Sequence, residues 1–87
     1  MGSVEVVIYT KDYCPYCSAA KELFKSKGVS FKEINVSKDE KALEELKKRT
    51  KHQTVPQIFV DGKFLGGFQD VQTLDEEGKL DNLLGGK

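Results

Sequence analysis

The sequence predicts a single α/β domain with the element order β-α-β-α-β-β-α. Three observations carry that reading. Apolar, β-branched runs alternate with stretches of helical periodicity. The only two cysteines, Cys14 and Cys17, fall where the first strand hands over to the first helix. An Asp61-Gly62 pair between two apolar runs marks a two-residue hairpin.

Each element follows from its residues. Val4-Glu5-Val6-Val7-Ile8-Tyr9 reads as a central, buried strand. Pro15 suits the first turn of a helix. Ala20, Leu23 and Phe24 then form one apolar stripe, and Gly28 stops the helix. Phe31 to Val36 alternates with period two and reads as a second strand. Asp39 or Ser37 can cap a second helix, with Ala42, Leu43 and Leu46 on its inner face and a solvated Lys/Glu surface elsewhere. Gln57-Ile58-Phe59-Val60 and Lys63-Phe64-Leu65 form the hairpin around Asp61-Gly62, and Gly66-Gly67 ends it. Asp70 opens a last helical region carrying Val71, Leu74, Leu80, Leu83 and Leu84, interrupted at Gly78. No repeat, linker or low-complexity tract is present.

Composition narrows the function. Eighty-seven residues suffice for one core and one domain, residues 1–87. The charged fraction is 32%, but 14 basic and 14 acidic side chains cancel, so no polybasic nucleic-acid surface is expected. The longest apolar run, Val6-Val7-Ile8, is far too short to cross a membrane. Met1-Gly2-Ser3-Val4 has no charged start followed by an apolar core, so no signal peptide is read there. It matches a myristoylation site only at Met-Gly, and Gly2-Ser3 reads as a cloning remnant. Two cysteines without an export signal point to a reducing cytoplasm, where such a pair is more often catalytic than structural.

A Cys-x-x-Cys pair at a strand-to-helix junction suits thiol–disulfide exchange. The competing readings are poorer. A structural disulfide would close a tiny loop and constrain the unfolded chain little. Zinc usually takes four ligands, and two cysteines with the lone His52 fall short, so no metal ligand is assigned. An iron–sulfur cluster shared between two chains is chemically open, although Pro15 stiffens the turn it would need. For exchange chemistry, the positive helix N-terminus favours a thiolate at Cys14, the nucleophile. Cys17, inside the first turn, is the resolving thiol. Lys11, three residues upstream, either favours that thiolate, meets a substrate carboxylate, or is a plain loop lysine. Tyr16 can form a pocket edge, while Tyr13 is read as scaffold packing.

The element order with Cys-x-x-Cys after the first strand is the thioredoxin-like arrangement. Within it the chain closely resembles the glutaredoxins. The matching residues are Cys14-Pro15-Tyr16-Cys17, Thr54-Val55-Pro56-Gln57-Ile58-Phe59 and Gly66-Gly67-Phe68-Gln69-Asp70. The likeness runs from about Val4 to Leu84 and suits the compact dithiol members. Phe68 stands where family members often carry a smaller residue or Cys.

The resemblance implies a mixed four-stranded sheet flanked by helices and a cis Val55-Pro56 bond beside the cysteines. It implies that Val55 pairs with the cysteinyl part of glutathione as a strand would, with Thr54 and Pro56 alongside. Backbone N–H groups at Gly67, Gln69 and Asp70, with the Asp70 carboxylate, would read the γ-glutamyl end. Asp70 could equally be a mere N-cap. Lys11 would hold the glycine carboxylate, with Arg49, His52 and Gln53 as secondary candidates.

The expected activity is therefore glutathione-dependent reduction of protein disulfides and protein–glutathione mixed disulfides. Glutathione is a co-substrate, and no tightly bound cofactor is expected. Protein disulfides and glutathionylated proteins are the expected partners of a cytoplasmic monomer. The competing functions are a thioredoxin-like redoxin recharged by a flavoprotein reductase and a glutathione-ligated iron–sulfur carrier.

Overall fold

β1 (Val6–Thr10) lies inside the sheet, as its β-branched run predicts. It pairs parallel with β2 (Lys32–Asn35) and antiparallel with β3 (Gln57–Val60), which pairs antiparallel with β4 (Lys63–Gly66). The order is β2-β1-β3-β4, a mixed sheet with a register irregularity at Ile58/Phe59. This computed structural model describes residues 5–84. The expectations for Gly2-Ser3, for Val4 and for a domain over all 87 residues lie outside that range.

The helices are α1 (Pro15–Ser26), α2 (Glu40–Thr50), α3 (Phe68–Glu76) and the short α4 (Leu80–Leu83). Period-two alternation divides the strands between two apolar layers. Val6, Ile8, Ile58 and Val60 pack on Ala20 and Phe24 of α1, Val71 of α3 and Leu80 of α4. The other face carries Phe59, with Tyr9 edge-on at 5.6 Å, Phe64 at 5.3 Å and the Arg49 guanidinium of α2 at 5.2 Å. Phe24 is fully buried, and truncating such a side chain costs about 3–5 kcal/mol.

Local chemistry sets the boundaries. The hairpin turn has positive φ at both Asp61 (52°) and Gly62 (81°), the geometry that matches strand twist. Asp39, not Ser37, caps α2, its carboxylate accepting the Ala42 N–H at 3.0 Å. Ser37 instead accepts the Asp12 N–H at 2.6 Å. α3 begins at Phe68, two residues before the predicted start. Gly67 is its N-cap, and Asp70 reaches back from the third position to accept the Gly67 N–H at 3.0 Å. That bond satisfies a free backbone donor and lets the helix start early. The expected interruption is present: α3 ends before Gly78, whose φ is +76°, and α4 follows.

Candidate active site

Cys14 is the N-cap of α1, in extended backbone. Its Sγ accepts the Cys17 N–H at 3.2 Å, where a hydroxyl or carboxylate oxygen usually sits. Pro15 follows at the start of the helix, a place where its missing N–H costs no hydrogen bond. The positive end of α1 is thus aimed at one sulfur. Cys14 is half-buried, whereas Cys17 is only 2% exposed. Burial, and then the contact with Cys14, push the Cys17 thiol up to about 12, against the opposing pull of the Lys11 backbone and the Lys21 ammonium. The two sulfurs are chemically unlike, one reachable and one held protonated in the core.

The second wall comes from the chain entering β3. Val55-Pro56 is cis, and the Val55 carbonyl oxygen lies 3.8 Å from Cys14 Sγ. Gln57 holds this segment from inside and is fully buried. Its Nε2 donates to the carbonyls of His52 (2.8 Å) and Thr54 (3.0 Å), and its Oε1 accepts from Thr50 Oγ1 at 2.8 Å. A buried amide with every arm paired makes the loop Thr50–Pro56 part of the rigid scaffold.

The third wall is the β4–α3 junction. Gly66 has φ +120°, and a Cβ there would stand 2.7 Å from Asp70 Cβ and Cγ. Only glycine lets Asp70 fold back over the turn. The three walls border an open groove of about 240 Å³. Tyr16, Thr54, Val55, Pro56, Gly67, Gln69 and Asp70, all singled out in the sequence, line it. Two further residues, His52 and Phe68, complete the lining. His52 Nε2 is 3.3 Å from Thr54 Oγ1, and the Phe68 ring lies 6.2 Å from that of Tyr16. His52, a secondary candidate for the glycine carboxylate, thus lies in the first groove, and so does Phe68, the residue that departs from the family pattern after the double glycine.

Lys11 is not in that groove. It lines a second one, with Cys14, Cys17, Lys21, Glu33 and Asn35. Cys14 stands between the two, in contact with Val55 on one side and lining the other. In the second groove Lys21 Nζ and Glu33 Oε2 are 3.2 Å apart, and Thr10 Oγ1 donates to the same oxygen at 2.7 Å. The Thr10 hydroxyl, with Lys21 adding to it, holds the Glu33 carboxyl below the usual carboxylate range. Of the secondary candidates, Arg49 stacks on Phe59, and Gln53 lies with Glu44, Lys47, Lys48 and Lys51 on another surface. Tyr13 is not scaffold packing. Its φ of 58° turns the side chain outward and leaves it fully exposed.

The glutaredoxin family model matches residues 6–65, which include both cysteines and Thr54-Val55-Pro56. Glutaredoxin 3 of Escherichia coli K12 is 50% identical over 84 residues, covering 97% of this chain and 99% of that protein. The solution structure of glutaredoxin from Brucella melitensis superposes with a TM-score of 0.87 at 43% identity, covering 97% of this chain and 91% of that one. A buckwheat glutaredoxin–glutathione complex superposes with a TM-score of 0.88 at 32% identity, over 92% of this chain and 76% of that one. With a reachable sulfur at a helix start, a buried partner behind it and kinship along nearly the whole sequence, the chain belongs to the glutaredoxin family of thiol–disulfide oxidoreductases.

Proposed function

We propose that the protein reduces protein–glutathione mixed disulfides and protein disulfides, with glutathione as its reductant. The observation that carries this reading is the position of Cys14. Its sulfur contacts the Val55 carbonyl at the wall of a groove that ends in the Gly67–Asp70 helix start, while Cys17 is buried behind it.

Glutathione would lie extended along the first groove. Val55 would pair with its cysteinyl backbone, between Thr54 and Pro56. The N–H groups near Gly67, Gln69 and Asp70 would meet the γ-glutamyl carboxylate, and the free carboxylate oxygen of Asp70 its ammonium. Tyr16 would cover the sulfur. Lys11, beyond Cys14, would serve the glycine carboxylate only if the ligand reaches past the sulfur. That a buckwheat relative forms a complex with glutathione supports glutathione as the ligand.

In the first half-reaction Cys14 thiolate attacks the glutathione sulfur of the mixed disulfide. The bond to the protein sulfur breaks, and the protein leaves as a thiolate that takes a proton. A second glutathione thiolate then attacks the glutathionyl sulfur on Cys14, releasing glutathione disulfide and restoring Cys14. With a protein disulfide, Cys14 is joined to the substrate, and Cys17 displaces it by closing the Cys14–Cys17 bond. Glutathione then reopens that bond. The reductant, the protein substrates and a cytoplasmic setting are parts of one proposal.

The test is turnover with glutathione and its reductase as the only source of electrons. Cys14→Ser is expected to lose at least about 100-fold on both substrate classes. Cys17→Ser is expected to keep the reduction of a small glutathione mixed disulfide and to lose that of a protein disulfide. Activity persisting in Cys14→Ser rejects the mechanism, and recycling by thioredoxin reductase in place of glutathione rejects the choice of reductant.

A further inference from the structure

Lys21 lies one helical turn beyond Cys17 on α1, and the two line the second groove together with Cys14 and Glu33. Its ammonium is anchored on Glu33. Nζ sits 3.2 Å from both carboxylate oxygens of Glu33 on β2, and Glu33 in turn accepts from Thr10 on β1, which is 1% exposed. The Lys21 and Glu33 side chains are 29% and 34% exposed, so the pair is partly enclosed. The other charged groups of this groove are Lys11 and Asp12 of the β1–α1 loop, and Asp12 Oδ1 accepts from Asn35 Nδ2 at 2.9 Å. Tyr13, also at the rim, faces solvent.

We propose that Lys21 is a positioning residue for the resolving step: its ammonium, held in place by Glu33 and Thr10, steadies the buried Cys17 thiolate once Cys14 is tied up in a mixed disulfide. The inference rests on the reading of Cys17 as the resolving thiol. A desolvated thiolate needs a compensating charge or donor close by. In the reduced protein Cys14 works against ionisation of Cys17, through its hydrogen bond and through its negative charge. A substrate sulfur bonded to Cys14 removes both effects. Burial still opposes the Cys17 thiolate, and against it stand the Lys11 backbone and, one helical turn along the same groove, the Lys21 side chain. Formation of the mixed disulfide therefore readies the thiol that will break it.

The step balances simply. The Cys17 S–H bond breaks and its proton passes to water in the groove. The sulfur's electron pair forms the bond to Cys14 Sγ. The bond from Cys14 Sγ to the substrate sulfur breaks, and its pair leaves on the substrate thiolate. The cysteine pair is oxidised by two electrons and the substrate disulfide is reduced.

Rapid mixing with dithiobis(nitrobenzoate) separates the two attacks. Cys14 releases the first coloured thiolate and Cys17 the second. In Lys21→Gln the second phase is expected to slow about five- to tenfold near neutral pH, with its pH profile moved upward and the first phase unaltered. Lys21→Arg is expected to restore the second phase. A second phase unchanged in rate and pH profile overturns the inference, as does equal slowing of both phases, which is the signature of a merely structural role. A wild type without a second phase, or a second phase that survives Cys17→Ser, would instead remove the assignment of Cys17 on which the inference stands.

Discussion

Cys14 Sγ lies 3.8 Å from the carbonyl oxygen of Val55, a residue 41 positions away. This contact joins the start of α1 to the loop that shapes the groove. The third wall, the β4–α3 junction, lines the same groove as Val55, and each of the three segments is held by its own hydrogen bonds.

The difference between the two thiols should appear directly in alkylation. Cys17 is 2% exposed and its thiol is pushed up to about 12 by burial first and by Cys14 second. Cys17 is then almost wholly protonated at neutral pH. Reduced, folded protein should take up one equivalent of iodoacetamide, all of it at Cys14, and a second only in denaturant. Peptide mass mapping decides, and early labelling of Cys17 would contradict the burial.

Gln57→Leu should loosen the groove and weaken the fold together. The substitution keeps the volume but strips partners from the carbonyls of His52 and Thr54 and from the Thr50 hydroxyl. The Thr50 hydroxyl keeps the Leu46 carbonyl, but leaving the two carbonyls unpaired costs about 1–3 kcal/mol. Chemical denaturation should register that loss, and KM for glutathione should rise more than kcat falls. A variant with unchanged stability would show that the loop holds itself.

Gly66→Ala probes the turn behind Asp70. The positive φ and the approach to the Asp70 side chain both exclude a methyl group. A cost of about 1–3 kcal/mol is expected from the backbone alone. The displaced Asp70 would also free the Gly67 N–H, so glutathione affinity should drop, as calorimetry on the oxidised protein would measure. Wild-type affinity in this variant would separate Asp70 from the binding site.

At the end of the molecule far from the groove, Lys27 bridges Asp75 and Asp81. The hydrogen bond to Asp75, then that to Asp81, raises the Lys27 ammonium above the ordinary lysine value. The folded state therefore holds this proton more tightly than the unfolded chain. The resulting stability is fully present below about pH 10.5 and fades as pH climbs through the higher folded value. Lys27→Met should cost about 1 kcal/mol at neutral pH and flatten the alkaline limb of the stability curve. An identical alkaline limb in wild type and variant would assign the loss to other groups.

Much of this was legible in the residues themselves. The strands, α1 and the hairpin follow from short-range rules: alternation, the stop at Gly28, and the Asp61-Gly62 turn, all of which act within a few bonds. The place of Cys14 was legible for the same reason, since an N-cap position is defined by its immediate neighbours. So were seven residues of the groove, because the family pattern marks them as separate short motifs. What only the tertiary structure decided are relations between distant segments. Gln57 looked like an ordinary strand residue until its amide met Thr50, His52 and Thr54 in the core. Lys11 was assigned to the ligand by its nearness to Cys14 along the chain, yet the fold turns it into the groove on the other side. No short stretch of sequence ties Lys21 to Glu33, twelve residues away; parallel pairing of β1 with β2 brings Glu33 beside Thr10 and across from α1. Local chemistry selects backbone conformation, whereas a side chain's partners depend on packing that no single stretch of sequence contains.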